Sequence, residues 1–175
     1  MEQIEIDDYI NKHLPYRLNS LMARDIMTYR QNNIFLSKNQ KISPYEDSLV
    51  IEPAFEISLV FGRALLQFIG ISYDKDGEFE SPRFRTDDVT LKSIFPNRAF
   101  CDKNDSLLKE NNFAIAALFK IANKSVAHLT SKLSNDREHE LLPRARKAIY
   151  HLVLKYVPEI DVNKLWYNNE VLTNK

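Results

Sequence analysis

The sequence has few glycines, a single cysteine and no net charge. Its 175 residues include 3 glycines and 1 cysteine, and 24 basic residues balance 24 acidic ones. So few glycines exclude the glycine-rich phosphate loops of P-loop and dinucleotide-binding proteins. The lone Cys101 can form neither an internal disulfide nor a thiolate metal site by itself. The balanced charge gives no sign of a surface made for duplex nucleic acid.

Long apolar runs are missing as well. The richest apolar stretch, residues 57–71, is interrupted by Arg63 and Gln67 and is too short to span a bilayer. The first residues lack the basic start and apolar core of a signal peptide. The sequence therefore predicts a cytoplasmic protein without a membrane segment.

Metal and cofactor motifs are also lacking. The acidic and histidine residues at 136–140 lack the paired Glu-x-x-His spacing of bundle di-metal sites. The stretch 74–77 begins like a calcium loop, but the rest of that pattern is missing, so a turn is expected. We expect neither a metal nor a cofactor.

Apolar residues at helical spacing are the main positive signal. They predict four main helices at about residues 7–31, 45–70, 105–133 and 136–157. A chain of this length normally forms one domain around one core. We therefore predict an all-α, four-helix bundle over residues 1–175, with an irregular insertion at 71–104.

Prolines and Gly70 predict where the helices begin and end. Pro15 should kink the first helix or begin it anew, and Pro53 should lie near the start of the second. Gly70 is suited to the stop position of that second helix. Pro158 should end the fourth helix.

Two shorter helices are expected outside the four main ones. Thr86 can cap a helix over 86–95, because its hydroxyl can accept a backbone N–H and two aspartates follow it. A tail helix over 161–168 should dock through Leu165 and Trp166.

His128 is the first candidate for chemistry. On a helix it shares a face with Lys124 and Lys120, whose charges disfavour its protonated form. A neutral imidazole can accept a proton from a ribose hydroxyl, while a lysine ammonium can hold a phosphate. The alternative is a histidine packed between helices and hydrogen-bonded to a neighbour.

A basic stripe on the fourth helix is the second candidate. Arg144, Lys147, His151 and Lys155 are three or four residues apart, so they lie on one side, opposite the core. Such a stripe can bind an anionic ligand. It is equally typical of a solvated helix face near the C-terminal end of a helix.

Charges within the apolar second helix form the third candidate. Glu56 and Arg63 are seven residues apart and share a face, so we expect both to be partly buried. One explanation is a structural ion pair with the third helix. The other is that Glu56, Arg63, Lys124 and His128 converge on an interhelical cleft.

An arginine followed by a histidine in a helical bundle resembles the HEPN (higher eukaryote and prokaryote nucleotide-binding) superfamily. Arg146 and His151 have the family's spacing, with four residues between them. The segment 123–128 is similar to the family motif in its helical context, with Asn123 at the arginine position. Many members are metal-independent ribonucleases or parts of toxin–antitoxin and phage-defence systems, and they usually form their site across a homodimer.

The resemblance implies a protein that binds RNA or nucleotides. If it cleaves RNA, His128 or His151 would be the base, with Lys124, Arg146 or Arg63 holding phosphate. The rival hypothesis is a non-enzymatic module that binds a protein partner through its second and third helices or its aromatic insertion. Two copies of a histidine in one cleft would favour the first, and an exposed apolar patch the second.

Overall fold

Helices account for most of the described chain. The structure, a computed structural model, describes residues 3–35, 50–123 and 136–172. The α-helices are α1 (Gln3–Asp8), α2 (Leu14–Leu21), α3 (Ala23–Arg30), α4 (Glu52–Phe68), α5 (Leu91–Ile94), α6 (Ser106–Ile121) and α7 (Asp136–Tyr156). Two short strands, β1 (Ser72–Tyr73) and β2 (Phe79–Glu80), form an antiparallel pair. The prediction of a mainly helical chain is confirmed.

The predicted first helix is divided into pieces. A π-helical turn at Tyr9–His13 separates α1 from α2, and a break at Met22 separates α2 from α3. A second π-helical turn, Gln31–Phe35, follows α3. Pro15 lies in the first turn of α2, directly after the π-helical turn, and the backbone of His13 and Leu14 before it stays helical. The helical geometry therefore changes just before Pro15, but a separate helix start at this residue is not seen.

α4 begins and ends as its proline and glycine predict. Pro53 lies in its first turn, while residues 45–49 of the predicted helix lie outside the described residues. Gly70 has φ +88°, a conformation that strains other residues, and its N–H donates to the Gln67 carbonyl at 3.0 Å. A β-carbon there would lie 2.5 Å from the Phe100 ring, so Gly70 also permits this close packing.

The insertion begins with a hairpin. One carboxylate oxygen of Asp74 accepts the backbone N–H groups of Asp76 at 2.8 Å and Glu78 at 2.9 Å. Gly77, with φ +87°, completes the reversal between β1 and β2. The predicted turn at 74–77 is confirmed.

The short helix of the insertion was predicted with the wrong cap. It spans only Leu91–Ile94, and Thr90 and Ser93 bond each other's backbone N–H groups in a capping box. Thr86 lies in a turn instead, where Asp88 accepts the N–H of Arg85 at 2.7 Å. The reciprocal pair satisfies two amide groups at once, which a single Thr86 hydroxyl cannot do.

α6 and α7 pack against each other and supply much of the core. Asp105 caps α6 by accepting the N–H of Leu107 at 3.0 Å. The described part of α6 ends before residues 124–133, so the predicted end of the third helix lies outside the described residues. α7 ends within one residue of its predicted limit, while the residues immediately before Asp136 lie outside the described ranges. Its Leu142, Ala145, Ile149 and Leu152 are buried.

The tail differs from the predicted helix. It contains a 3₁₀ turn at Val162–Lys164 and a π-helical turn at Asn168–Leu172. Leu165 is buried as predicted, but Trp166 is 57% exposed and the neighbouring Tyr167 is buried instead. The backbone at Leu165 is extended, so the side chains after it do not follow helical periodicity. A helix over this segment therefore predicts the wrong sides for Trp166 and Tyr167.

Buried apolar side chains from α2, α3, α4, α6, α7 and the tail form one hydrophobic cluster. Within the described ranges, no helix has both the length and the apolar character needed to cross a membrane.

Candidate anion-binding cleft

A cleft of about 470 Å³ lies between α4, α6 and the β1–β2 hairpin. We call it the Arg63 cleft. Gly62 brings its two helices together, because a β-carbon at this position would lie 2.9 Å from the Leu118 side chain of α6. This close approach places Arg63 of α4 beside Phe119 of α6, with the guanidinium carbon 5.5 Å from the ring centroid.

Arg63 has an unused hydrogen-bond donor. Its Nε atom is buried and has no hydrogen-bond partner in the described part of the chain. An unpaired buried donor is costly, and more so on a charged group, unless a ligand completes it. The side chain as a whole is half-buried and lines the open cleft, so a ligand entering the cleft can approach it.

Basic side chains outnumber acidic ones around this cleft. Its charged lining residues are Arg63, Lys75, Arg83 and Lys120 on the basic side, and Asp74 and Glu80 on the acidic side. Lys120 pairs with Glu138 at 2.5 Å. With Glu138 counted, four basic groups face three carboxylates, so the cleft keeps an excess of one positive charge. The cleft is therefore suited to an anion.

The acidic groups of the cleft are already engaged. Asp74 accepts the turn amides, and the hydrogen bond from the Glu78 backbone lowers the pKa of Asp74 most strongly. Glu80 accepts a hydrogen bond from the Ser72 hydroxyl at 3.4 Å. Neither Asp74 nor Glu80 forms a salt bridge with Arg63.

Tyr73 forms part of the cleft wall but is a poor proton donor or acceptor. Its hydroxyl donates to Asn112 at 2.8 Å, and burial raises the pKa of the phenol well above its ordinary value. At neutral pH the ring is a neutral, fixed wall. The described residues of the cleft can therefore hold an anion, but none of them is a histidine poised as a general base.

Of the four residues predicted to converge on an interhelical cleft, the structure describes two. Arg63 lines the cleft, and so does Asn123, which lies two residues beyond the end of α6. Lys124 and His128 lie outside the described residues. Glu56 was expected to be partly buried, but it is exposed and does not line the cleft, because it lies two turns back on α4.

The ion-pair explanation for these charges stays a prediction, because Lys124 and His128 of the third helix lie outside the described residues. Among the described residues neither Glu56 nor Arg63 forms a salt bridge. The contact of Arg63 is with the face of an aromatic ring instead.

The basic stripe on α7 is exposed along its length, as predicted. Arg144 donates to the side-chain oxygen of Asn111 and to the Glu110 carbonyl, both at 2.7 Å. Lys155 pairs with Asp105 at 2.6 Å. Desolvation lowers the pKa of His151, which favours its neutral form. The stripe thus offers fewer available charges than its sequence suggests.

Arg146 and His151 are not brought together. The Arg146 side chain is 3% exposed, and its Nε donates to Asp25 of α3 at 2.5 Å, whereas His151 lies on the exposed side of α7. Residues five apart on a helix differ by about 140° around its axis. Their matching spacing therefore does not make a common site within one copy of the chain.

Lys75 and Arg83 were not identified from the sequence as site residues. Both lie in the insertion, where no helical or strand period indicates a common face. Lys120 had a detectable signal, since it precedes Lys124 by one helical turn.

Metal binding is not indicated, since no group of three or more histidine, cysteine, aspartate or glutamate side chains in residues 3–35, 50–123 and 136–172 is arranged to hold an ion. Comparison of the chain with family models, with curated proteins and with solved structures finds no match in any of the three. What the protein does must accordingly be inferred from the residues of the cleft.

Proposed function

We propose that this protein is a HEPN-like four-helix bundle that binds RNA or nucleotides, with the Arg63 cleft as its phosphate site. The half-buried guanidinium of Arg63, which lines the cleft without an acidic partner among the described residues, is the observation that carries the proposal. Phosphate oxygens would accept N–H groups of this guanidinium and bring the negative charge that the surrounding lysines and arginines favour.

The position of Asn123 links this cleft to the HEPN-like segment. Asn123 opens the segment 123–128 and lines the cleft. The proposed roles follow from that link: Arg63 and Lys124 hold phosphate, and His128 takes the proton of a ribose hydroxyl if RNA is cleaved. The resemblance further implies a homodimer, and the sequence a cytoplasmic location.

The binding part of the proposal is tested with a fluorescently labelled single-stranded RNA. Arg63→Gln keeps a polar side chain but removes the charge, and we expect its dissociation constant to rise about tenfold or more, the usual effect of losing a hydrogen bond to a charged group. Lys147→Gln removes one charge from the exposed stripe, and is the matched control. Its affinity should stay within about twofold of the wild type.

The result also distinguishes the cleft from the stripe. A larger loss in Lys147→Gln than in Arg63→Gln would move the site to α7. Equal affinity in all three proteins, or no binding by the wild type, would contradict the proposal.

Cleavage is tested separately, with a mixed RNA pool in the presence of a chelator. We expect His128→Ala to abolish cleavage with unchanged helical content, and His151→Ala to retain it. The opposite pattern would assign the base to the stripe. No cleavage by any form would leave a binding protein without nuclease activity.

A protein-interaction module is the second candidate. Ile57 and Val60 are 44% and 45% exposed on one side of α4, and Tyr16 of α2 is 61% exposed. In the insertion, Phe84 is 41% exposed and stacks on Phe100. This candidate would replace the first if the wild type bound no RNA or nucleotide.

A further inference from the structure

A second cleft, of about 420 Å³, lies between α3, α4 and α7. We call it the Arg24 cleft. Arg24, Asp25, Phe55, His139 and Arg146 are among its lining residues, and it shares no residue with the Arg63 cleft. It is therefore a separate candidate site with its own chemistry.

Two guanidinium groups lie at this cleft beside a single carboxylate. Arg146 is 3% exposed and donates its Nε to Asp25, whose side chain is 13% exposed. No other hydrogen bond of the Arg146 guanidinium is made within the described residues. Arg24 forms no salt bridge with them, so the cleft has one positive charge more than Asp25 neutralises.

Arg24 is held in position by an aromatic ring rather than by an acid. Its guanidinium carbon lies 4.6 Å from the centroid of Phe55. Burial, and then the charge of Arg146, lower the pKa of Arg24, while Asp25 acts in the opposite direction. Both observations indicate that the two cations are under-compensated.

The rest of the cleft is lined by Thr28, two aromatic rings and two apolar side chains. The rings of Phe55 and His139 are stacked, with centroids 5.6 Å apart and an interplanar angle of 21°. Leu142 and Pro143 of α7 complete this side. Such walls suit a planar ring, and a cleft with apolar walls and a few convergent polar groups is the usual form of a small-molecule site.

We propose that the Arg24 cleft binds a small molecule made of a planar ring bearing one anionic group, either a phosphate or a carboxylate. The anionic group lies between the guanidinium groups of Arg24 and Arg146, which present several donors to it. The ring lies against Phe55 and Pro143. The site is independent of the proposed RNA-binding function.

The test is a calorimetric titration of the purified protein with four probes. Phenyl phosphate and benzoate carry both ring and anion, inorganic phosphate carries only the anion, and benzyl alcohol carries only the ring. We expect one of the first two to bind about tenfold more tightly than either of the last two, since both parts of the ligand contribute. Whichever binds more tightly identifies the anionic group.

Variants locate the binding. Arg24→Gln should weaken the tighter probe about tenfold, because it removes charged hydrogen bonds without breaking the pair between Arg146 and Asp25. Phe55→Leu should weaken it as well, by removing the ring contact. Lys109→Gln, at an exposed lysine outside both clefts and the basic stripe, is the surface control and should leave the affinity unchanged.

Two results would overturn the proposal. One is the absence of binding of both phenyl phosphate and benzoate to the folded wild type. The other is unchanged affinity in both Arg24→Gln and Phe55→Leu. If inorganic phosphate bound more tightly than phenyl phosphate and benzoate, the proposal that the ligand contains a ring would be wrong. Arg63→Gln should not affect this titration, so failure here is distinguishable from failure of the RNA-binding proposal.

Discussion

Arg146 and Arg63 both lie between helices, but of the two only Arg146 has an acidic partner among the described residues. Its guanidinium donates to Asp25, a residue 121 positions earlier in the chain. Arg63 contacts the face of Phe119 and keeps a buried Nε without a partner among the described residues. We infer that Arg146 stabilises the fold through Asp25 in addition to lining the Arg24 cleft, whereas Arg63 has no such structural pair among the described residues and is available to a ligand. Variants can test this difference, from the largest expected effect to the smallest.

Arg146→Met should cause the largest loss of stability. It leaves the Asp25 carboxylate nearly buried without its cation, which typically costs about 3–5 kcal/mol. The free energy of unfolding, measured by urea denaturation, should fall by that amount. Adding Asp25→Leu should recover much of the loss, because the unpaired charge is then removed. A loss below about 1 kcal/mol in the single variant would show that the pair is not structural.

Asp105 provides a second paired group and a pH dependence. Its carboxylate, 3% exposed, accepts from Lys155 at 2.6 Å and from the Tyr156 hydroxyl at 3.1 Å. Burial alone would raise the pKa of Asp105, but the hydrogen bonds from Lys155, Tyr156 and the Leu108 backbone outweigh it and lower the pKa. The carboxylate is thus more acidic in the folded chain than in the unfolded one.

The free energy of unfolding should therefore depend on the ionisation of Asp105. A lowered folded-state pKa gives a contribution that is complete above about pH 4, near the unfolded value, and is lost as the pH falls through the folded value. Asp105→Asn should cost about 2 kcal/mol at pH 7 and reduce the loss of stability in acid. An equal acid dependence in wild type and variant would exclude Asp105 as the cause.

Arg63→Met should change stability much less than Arg146→Met. It removes an unpaired donor and a ring contact but keeps the apolar inner part of the side chain, so we expect a change within about 1 kcal/mol. The same variant should lose RNA binding. A destabilisation as large as that of Arg146→Met would show that Arg63 is as structural as its counterpart.

Lys147→Ala should have the smallest effect. This side chain lies on the exposed stripe of α7, where substitutions usually change the free energy of unfolding by less than about 0.5 kcal/mol. Thermal and urea denaturation should give curves close to those of the wild type. A clear loss would point to a contact of Lys147 in an assembled form of the protein.

Local signals in the sequence predicted the helices well. Pro53 and Gly70 marked the limits of α4 because proline and glycine act through the backbone of their own turn. The cap of α5 was missed because Thr86 and Thr90 are equally plausible caps, and only Ser93 decides between them. Trp166 was misplaced because the tail leaves helical geometry at Leu165.

The candidate sites depend on contacts that no local signal contains. Arg63 could be identified because it interrupts an apolar helix, but its neighbours Lys75 and Arg83 lie in an irregular segment. Glu56 interrupts the same helix and is nevertheless exposed. The partner of Arg146 is more than a hundred residues away, so its spacing to His151 suggested a different role.

The same long separations bear on how the chain acquires its structure. Arg30 pairs with Glu170, and the Asn19 side chain bonds the backbone of Lys164 and Trp166 in the tail. α2 and α3 also contact α4, which follows them much sooner along the chain, so the tail completes a surface that a nearer helix already covers in part. Contacts between residues so distant in sequence carry a larger loop-closure cost and slow folding. We therefore expect the tail contacts to form after those among α2, α3 and α4.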